Sequence, residues 1–334
     1  MTQFLTQDQI DFFDEQGYLV IDAVIPEAAL LAVKAEYDQR MHDVAKQFVA
    51  AGKLDQTHAQ LPFGERFTRL LFDCPDILDF LEITLPLLNE GMPPGIEMHH
   101  GPAVFSMLRH PHLLDLIESL LGPEISSNPV QHLRIKPPAN QVPESLVDNS
   151  YVSTTTWHQD QGALMDEADQ TQLITAWVAI TDATLENGCM VCIPKSHRIA
   201  GGSLAVHCPG AGIASENFIP PELLDLNSEQ PLPVSAGGVV LLNQFTQHAA
   251  GPNTTNSIRW SFDLRFHRTG QASGRPAFPD FVARSRKNPE LELRDPVRWG
   301  QLWESAYNRI LEGQSGPIFN AARWAIYADS PVCA

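Results

Sequence analysis

The feature that most restricts how this chain can fold is a change of texture near Val130. From there, short runs rich in β-branched and aromatic residues follow one another: Val130 to Lys136, Val152 to Trp157, Ile174 to Ile180, Met190 to Ile193, Val239 to Leu242 and Ile258 to Phe266. Turn residues rather than amphipathic helical segments separate them. Many short strands without crossover helices predict an antiparallel barrel or a double-sheet jelly roll. Asn187-Gly188, between two of the runs, predicts a hairpin turn. The last run alternates: Ile258, Trp260, Phe262, Leu264 and Phe266 share one face, and Arg259, Ser261, Asp263 and Arg265 share the other. The apolar face is expected to pack against helices and the polar face to line the interior.

The preceding third supplies those helices. Thr6-Gln7-Asp8-Gln9 has the capping-box pattern, with Ile10 and Phe13 at helical spacing and a stop at Gly17. Tyr18 to Ile21 reads as a short strand. Pro26 opens a longer helix carrying Leu30, Val33 and Tyr37 on one stripe, and a further helix runs from Pro111 to Leu121. After His267 the chain is first irregular, then predicts a helix near Val297 to Leu311 and ends in an apolar stretch with Trp324 and Tyr327. The fold class is therefore α+β. One domain over 1–334 is expected, mainly helical over 1–125, jelly roll over 126–267, and a C-terminal helical extension over 268–334. Two long Pro-rich insertions, Pro137 to Ser150 and about Gly201 to Pro233, sit where loops on a rigid scaffold carry specificity.

Composition narrows the partners. A net charge of −18 argues against nucleic acid or an anionic membrane surface, which are bound by clustered Lys and Arg. No apolar run reaches the roughly 18 residues of a membrane span, and Met1-Thr2-Gln3-Phe4 lacks signal-peptide character. The five cysteines are scattered and odd in number, which fits a reducing compartment rather than a disulfide framework. The expectation is a cytoplasmic monomer or homodimer acting on a small molecule. Cys189-x-x-Cys192 reads as core, since no second pair accompanies it.

The chemistry centres on Trp157-His158-Gln159-Asp160. After Thr154-Thr155-Thr156, a strand would direct His158 and Asp160 from one face. Among twelve histidines, His248 is the best third donor, because it lies beyond Val239 to Leu242 on a late strand that an antiparallel barrel can bring beside an early one. Two histidines and a carboxylate on one face leave three positions open, the donor set of non-haem Fe(II) oxygenases. Arg259, facing inward, would grip a carboxylate bidentately. Each signal has a plain alternative: a chance His-x-Asp, a hydrogen-bonded strand-end histidine, or an Arg259–Asp263 ion pair.

Together the residues resemble the phytanoyl-CoA dioxygenase family of Fe(II)- and 2-oxoglutarate-dependent oxygenases. The resemblance rests on His158-Gln159-Asp160, Thr175-Ala176-Trp177-Val178-Ala179, Asn187-Gly188-Cys189, Ile193-Pro194-Lys195-Ser196-His197-Arg198, and His248 with Gly251-Pro252-Asn253 and Arg259. It implies a double-stranded β-helix, cupin-like core. It also implies Fe(II) on His158, Asp160 and His248, the distal carboxylate of 2-oxoglutarate on Arg259, and further cosubstrate contacts from Gln159, Trp177 and His132. Fe(II), 2-oxoglutarate and O2 are the implied cofactors, with ascorbate a candidate addition. The implied reaction is hydroxylation or other oxidation of a C–H bond with release of succinate and CO2. Because related halogenases lack the carboxylate, Asp160 points to oxygen transfer. Two positions depart from the family: Ala250 stands where Ser is common, and Leu70 to Leu108 offers no upstream cosubstrate lysine. The other readings are a non-catalytic metal- or ligand-binding barrel and a metal-dependent oxygenase that does not use 2-oxoglutarate.

Overall fold

The computed structural model describes residues 4–85, 95–209, 217–315, 318 and 321–333. Helix α1 (Gln7–Gln16) begins with the expected capping box, since the Thr6 hydroxyl accepts from Gln9 N and the Gln9 side chain accepts from Thr6 N. Strand β1 (Tyr18–Ile21) follows, then α2 (Glu27–Ala50), α3 (Phe63–Asp73), α4 (Pro102–Leu108) and α5 (Pro111–Leu121). The strand-rich part comprises β2 (Glu124–Lys136), β3 (Thr155–His158), β4 (Leu173–Ala179), β5 (Met190–Cys192), β6 (Gln230–Leu232), β7 (Val239–Asn243), β8 (His248–Ala250), β9 (Arg259–Arg268) and β10 (Phe281–Ser285). Helices α6 (Pro296–Leu311) and α7 (Ala321–Ala325) end the chain.

The strands form two antiparallel sheets, one of six in the order β1-β7-β4-β9-β2-β10 and one of four in the order β3-β8-β5-β6. This is the jelly-roll arrangement; among the described residues the sheets do not close into a barrel. Asn187-Gly188 is not the hairpin its sequence suggests, because β4 lies in the large sheet and β5 in the small one. The turn instead carries the chain between sheets. Asn187 caps Thr184 N and donates to Asp182 O. Gly188 (φ +78°) passes so close to Gly251 O that a Cβ would stand 2.3 Å from it. Loop 201–233 holds short 3-10 turns, and its residues 210–216 lie outside the described set.

Strand β9 divides the molecule as its alternation requires. Trp260, Phe262, Leu264 and Phe266 are buried in the main core with the helices. Trp260 stacks on Phe63 (centroids 4.9 Å) and meets Tyr37 edge-on (5.4 Å), so α2 and α3 are seated on the outer face of the large sheet. Arg259, Ser261, Asp263 and Arg265 are buried on the opposite face, toward the small sheet. Cys189 and Cys192 are core thiols as expected. Cys208 and Cys333, however, form a disulfide across 125 residues, against the expectation of unpaired thiols. A pair that distant leaves no spacing signature.

Trp260→Ala should lower the unfolding free energy by about 3–5 kcal/mol, the range for deleting a fully buried aromatic. Val297→Ala, on an exposed position of α6, should change it by less than about 0.5 kcal/mol. Chemical denaturation of both variants measures the contrast, and equal effects would contradict the packing described.

Candidate metal centre

Strands β3 and β8 are neighbours with His158 directly opposite His248, so an early and a late strand meet as the barrel argument requires. Strand β3 ends at His158. Asp160 opens a 3-10 turn rather than continuing the strand, so convergence comes from a strand end and a turn, not from strand alternation. The Asp160 carboxylate oxygens nevertheless lie 3.8 Å from Nε2 of each histidine. One donor atom from each of the three residues falls within 4.8 Å of the others.

The histidine rings are oriented from behind. His158 Nδ1 faces Thr156 O at 2.8 Å and His248 Nδ1 faces Thr246 O at 2.9 Å. A carbonyl can only accept, so Nδ1 carries the proton and each Nε2 lone pair points at the shared centre. Asp160 has no exposed surface. Burial alone would raise its carboxyl, but the Arg265 guanidinium, the two histidines and the Thr175 hydroxyl outweigh burial and hold it well below the usual carboxylate range. Burial, with His248 adjacent, pushes the His158 imidazole well down, so it is neutral and available to ligate. Two imidazoles presenting Nε2 and one ionised carboxylate suit a divalent first-row metal, Fe(II) included.

On the same inward face of β9 as Arg265, Arg259 is fully buried with its guanidinium 5.1 Å over the Trp177 ring. Its Nη1 donates to Ser261 Oγ at 2.8 Å, while Nε and Nη2 find no partner among the described residues. Those two nitrogens form one edge of the planar fork, the edge that accepts a carboxylate bidentately. Asp263 is bonded to Arg134 at 2.5 Å and acts on Arg259 only through space, partly offsetting the effect of its burial. Burial lowers Arg259 to about 10, which leaves it charged at neutral pH.

The remaining expected residues fare unequally. Trp177 is buried beneath Arg259 with its indole N–H unpartnered among the described residues. The Gln159 amide nitrogen donates to Phe245 O (2.7 Å) and its oxygen accepts from Ala205 N (2.7 Å), tying the side chain to loop backbone. His132 pairs with Asp263 in the β2–β9 ladder, packs against Tyr151, and stands 3.6 Å from Glu82.

Three residues are missing from the expected set. Arg265 and Thr175 hold Asp160, and Lys136, opposite Arg259 in the ladder, is fully buried with Nζ donating to Ala250 O and Gly251 O. Arg265 shares the inward face of Arg259, so alternation carries a signal for it. Thr175 and Lys136 need the pairing of β4 and β2 with β9.

Residues 91–261, just over half of the chain, match the family model described as phytanoyl-CoA dioxygenase (PhyH). The bovine phytanoyl-CoA dioxygenase domain-containing protein 1 is 26% identical over 297 residues, covering 83% of this chain and 94% of that protein. Human peroxisomal phytanoyl-CoA dioxygenase is 22% identical over 292 residues, covering 86% and 75%. Among solved structures, the apo non-heme monooxygenase ThoJ superposes with a TM-score of 0.56 at 18% identity, covering 92% of this chain and all of that one (100%). EvdO2 from Micromonospora carbonacea, complexed with 2-oxoglutarate, gives 0.50 at 19% identity, covering 81% and 95%. At these identities the structural likeness establishes the fold.

Glu82, 3.6 Å from His132, gives this region a pH dependence. Its Oε1 accepts from Ile83 N and Leu133 N, and burial pushes its carboxyl from 4.5 up to about 8, with Arg134 opposing and Asp263 reinforcing the shift. The folded state therefore holds a proton that the unfolded state releases. That contribution is fully present below about 4.5 and is lost as pH rises toward about 8. Relative to Glu82→Gln, the wild type should lose stability by roughly 1 kcal/mol per pH unit across that window. Parallel unfolding curves at pH 5 and pH 8 check this; a difference constant with pH would contradict it.

Proposed function

The chain belongs to the phytanoyl-CoA dioxygenase family, and on that premise we propose that it is a non-haem Fe(II)- and 2-oxoglutarate-dependent oxygenase. Its reaction is the oxidation of a C–H bond of a small-molecule metabolite, with succinate and CO2 as coproducts. The observation that carries this reading is a His-Asp-His donor set whose carboxylate is held by Arg265, together with a buried guanidinium, Arg259, on the same inward face of β9 with an open bidentate edge. A barrel that merely binds a metal has no use for the second feature.

In this reading His158, Asp160 and His248 hold Fe(II) through Nε2, a carboxylate oxygen and Nε2. Bound iron supplies the redox chemistry by which O2 is activated. The protein supplies placement and electrostatics. Arg265 and Thr175 keep Asp160 ionised and aimed, and the carbonyls of Thr156 and Thr246 keep both imidazoles in the ligating tautomer. Arg259 takes the distal carboxylate of 2-oxoglutarate on its Nε–Nη2 edge, with Trp177 beneath it. Lys136 adds a second positive charge at that end, in place of the upstream lysine that the sequence lacks. His132 and Tyr151, half-buried and in ring contact, with Arg134 over the Tyr151 ring, are assigned to substrate in this reading.

His158→Ala should abolish substrate-dependent succinate formation while leaving far-UV circular dichroism unchanged. Arg259→Leu should raise the KM for 2-oxoglutarate about 10- to 100-fold, the value of a charge-assisted bidentate contact. It should also erase the preference for 2-oxoglutarate over pyruvate, which has no distal carboxylate; Lys136→Met should weaken that preference less. Wild-type turnover in His158→Ala, or an unchanged preference in Arg259→Leu, would overturn the assignment.

A further inference from the structure

The turn that carries Asp160 is held from outside by the far end of the chain. Gln159 N–H donates to His207 Nε2 at 3.1 Å, and His207 Nδ1 is fixed by Ala205 O at 2.9 Å. The imidazole touches the turn itself, since a Cβ on Gly162 would stand 2.9 Å from His207 Nε2. The other face of His207 packs on Trp324, with ring centroids 4.6 Å apart. Trp324 Nε1–H donates to Gly162 O at 2.9 Å, and Arg323 donates to Asp169 at 2.8 Å and to Leu164 O at 3.3 Å. His207 is followed by Cys208, joined to Cys333.

This tail is thinly anchored. Of the residues from Arg323 to Cys333, only Trp324 is buried, and Ile326 leaves 75% of its surface exposed. One buried indole and the Arg323 ion pairs hold its start, and beyond them a covalent link across 125 residues lowers in advance the entropy cost of ordering the rest. Cys333 is half-buried, so the bond is reachable from one side.

We propose that the C-terminal tail is a redox-held clamp on the metal-binding turn, with Trp324 and His207 as positioning residues. While Cys208 and Cys333 are joined, the two aromatic rings fix Gln159 to Gly162 and so fix the approach of Asp160. An external dithiol opens the clamp. Its thiolate attacks one protein sulfur, the S–S bond breaks through a mixed disulfide, and the second thiol closes the reagent's own disulfide. Two electrons and two protons pass to the protein, which gains two thiols, and the tail is released. The inference rests on the reading of His158, Asp160 and His248 as metal ligands.

Co(II) titration of the full-length protein, followed by its ligand-field spectrum, tests the clamp. Three samples are compared: protein purified in air, the same protein reduced with a dithiol that is then removed by gel filtration under argon, and Cys333→Ser. Air-purified protein should bind one Co(II). The reduced and Cys333→Ser proteins should bind about tenfold more weakly, as expected when partners behind metal ligands are lost. Trp324→Ala should weaken binding even with the disulfide intact, and trypsin should free the C-terminal peptide only after reduction. Equal Co(II) affinity in oxidised and reduced wild type, or mass spectrometry showing two free thiols after purification in air, overturns the clamp and leaves the metal site standing. Absence of Co(II) binding by the oxidised protein overturns the metal site itself. Should Cys333→Ser fail to fold, the wild-type comparison before and after reduction decides.

Discussion

The interior of this protein depends on one buried negative charge. An ionised carboxylate with no solvent contact costs several kcal/mol unless donors and cations surround it, and Asp160 is tolerable only because its surroundings are complete. Arg265 from β9 and Thr175 from β4 take its oxygens, and His158 and His248 flank it from β3 and β8. Arg265 also donates to Val130 O, at the irregular point of β2. Four strands and the 3-10 turn are thus bonded to or packed against the charge that a metal would share. Placing the donor set and stabilising the two-sheet core are one physical problem.

Strand β9 shows how that is compatible with an acidic chain. Its odd-numbered residues face the cavity and its even-numbered ones meet the helices, so the groups assigned to chemistry and the groups that seat α2 and α3 lie on opposite sides of one backbone. The −18 net charge conceals a buried inward face of β2 and β9 carrying Arg134, Lys136, Arg259 and Arg265. Average charge says little about such a site, because a guanidinium in a low-dielectric cavity acts on its ligand far more strongly than exposed carboxylates do across solvent.

Much of this is legible in the sequence where a period is long enough to be unambiguous. The ten residues from Ser257 to Phe266 show which face is inside, and with them that Arg259 reaches the cavity. Capping and Pro/Gly punctuation place α1 and α5. Short or evenly buried segments are harder: β6 and β8 have three residues each, and no alternation can be read from so few. Helix α3 lies where no defined helix is expected from the sequence, although Phe67, Leu70 and Leu71 stand at helical spacing. Asn187-Gly188 signals a turn correctly but cannot say that the turn joins two sheets. Gln159 shows the same limit. Its neighbours fix its position beside the metal ligands, yet the direction of its amide depends on loop backbones at Ala205 and Phe245, far away in sequence. Lys136, Thr175 and the Cys208–Cys333 link likewise exist only through pairing across the fold.

In the proposed arrangement Arg259 shares the inward face of β9 with Arg265, which holds Asp160, and the C-terminal tail bears on the turn that carries Asp160. The central claim is that the His-Asp-His cluster and Arg259 together form one receptor for a metal and 2-oxoglutarate. Calorimetric titration of 2-oxoglutarate into Mn(II)-loaded and metal-free protein tests that claim most directly. One molecule bound per chain, with affinity that falls sharply when the metal is removed, is the expected result. Binding of equal strength with and without Mn(II), or no binding to the loaded protein, would contradict it.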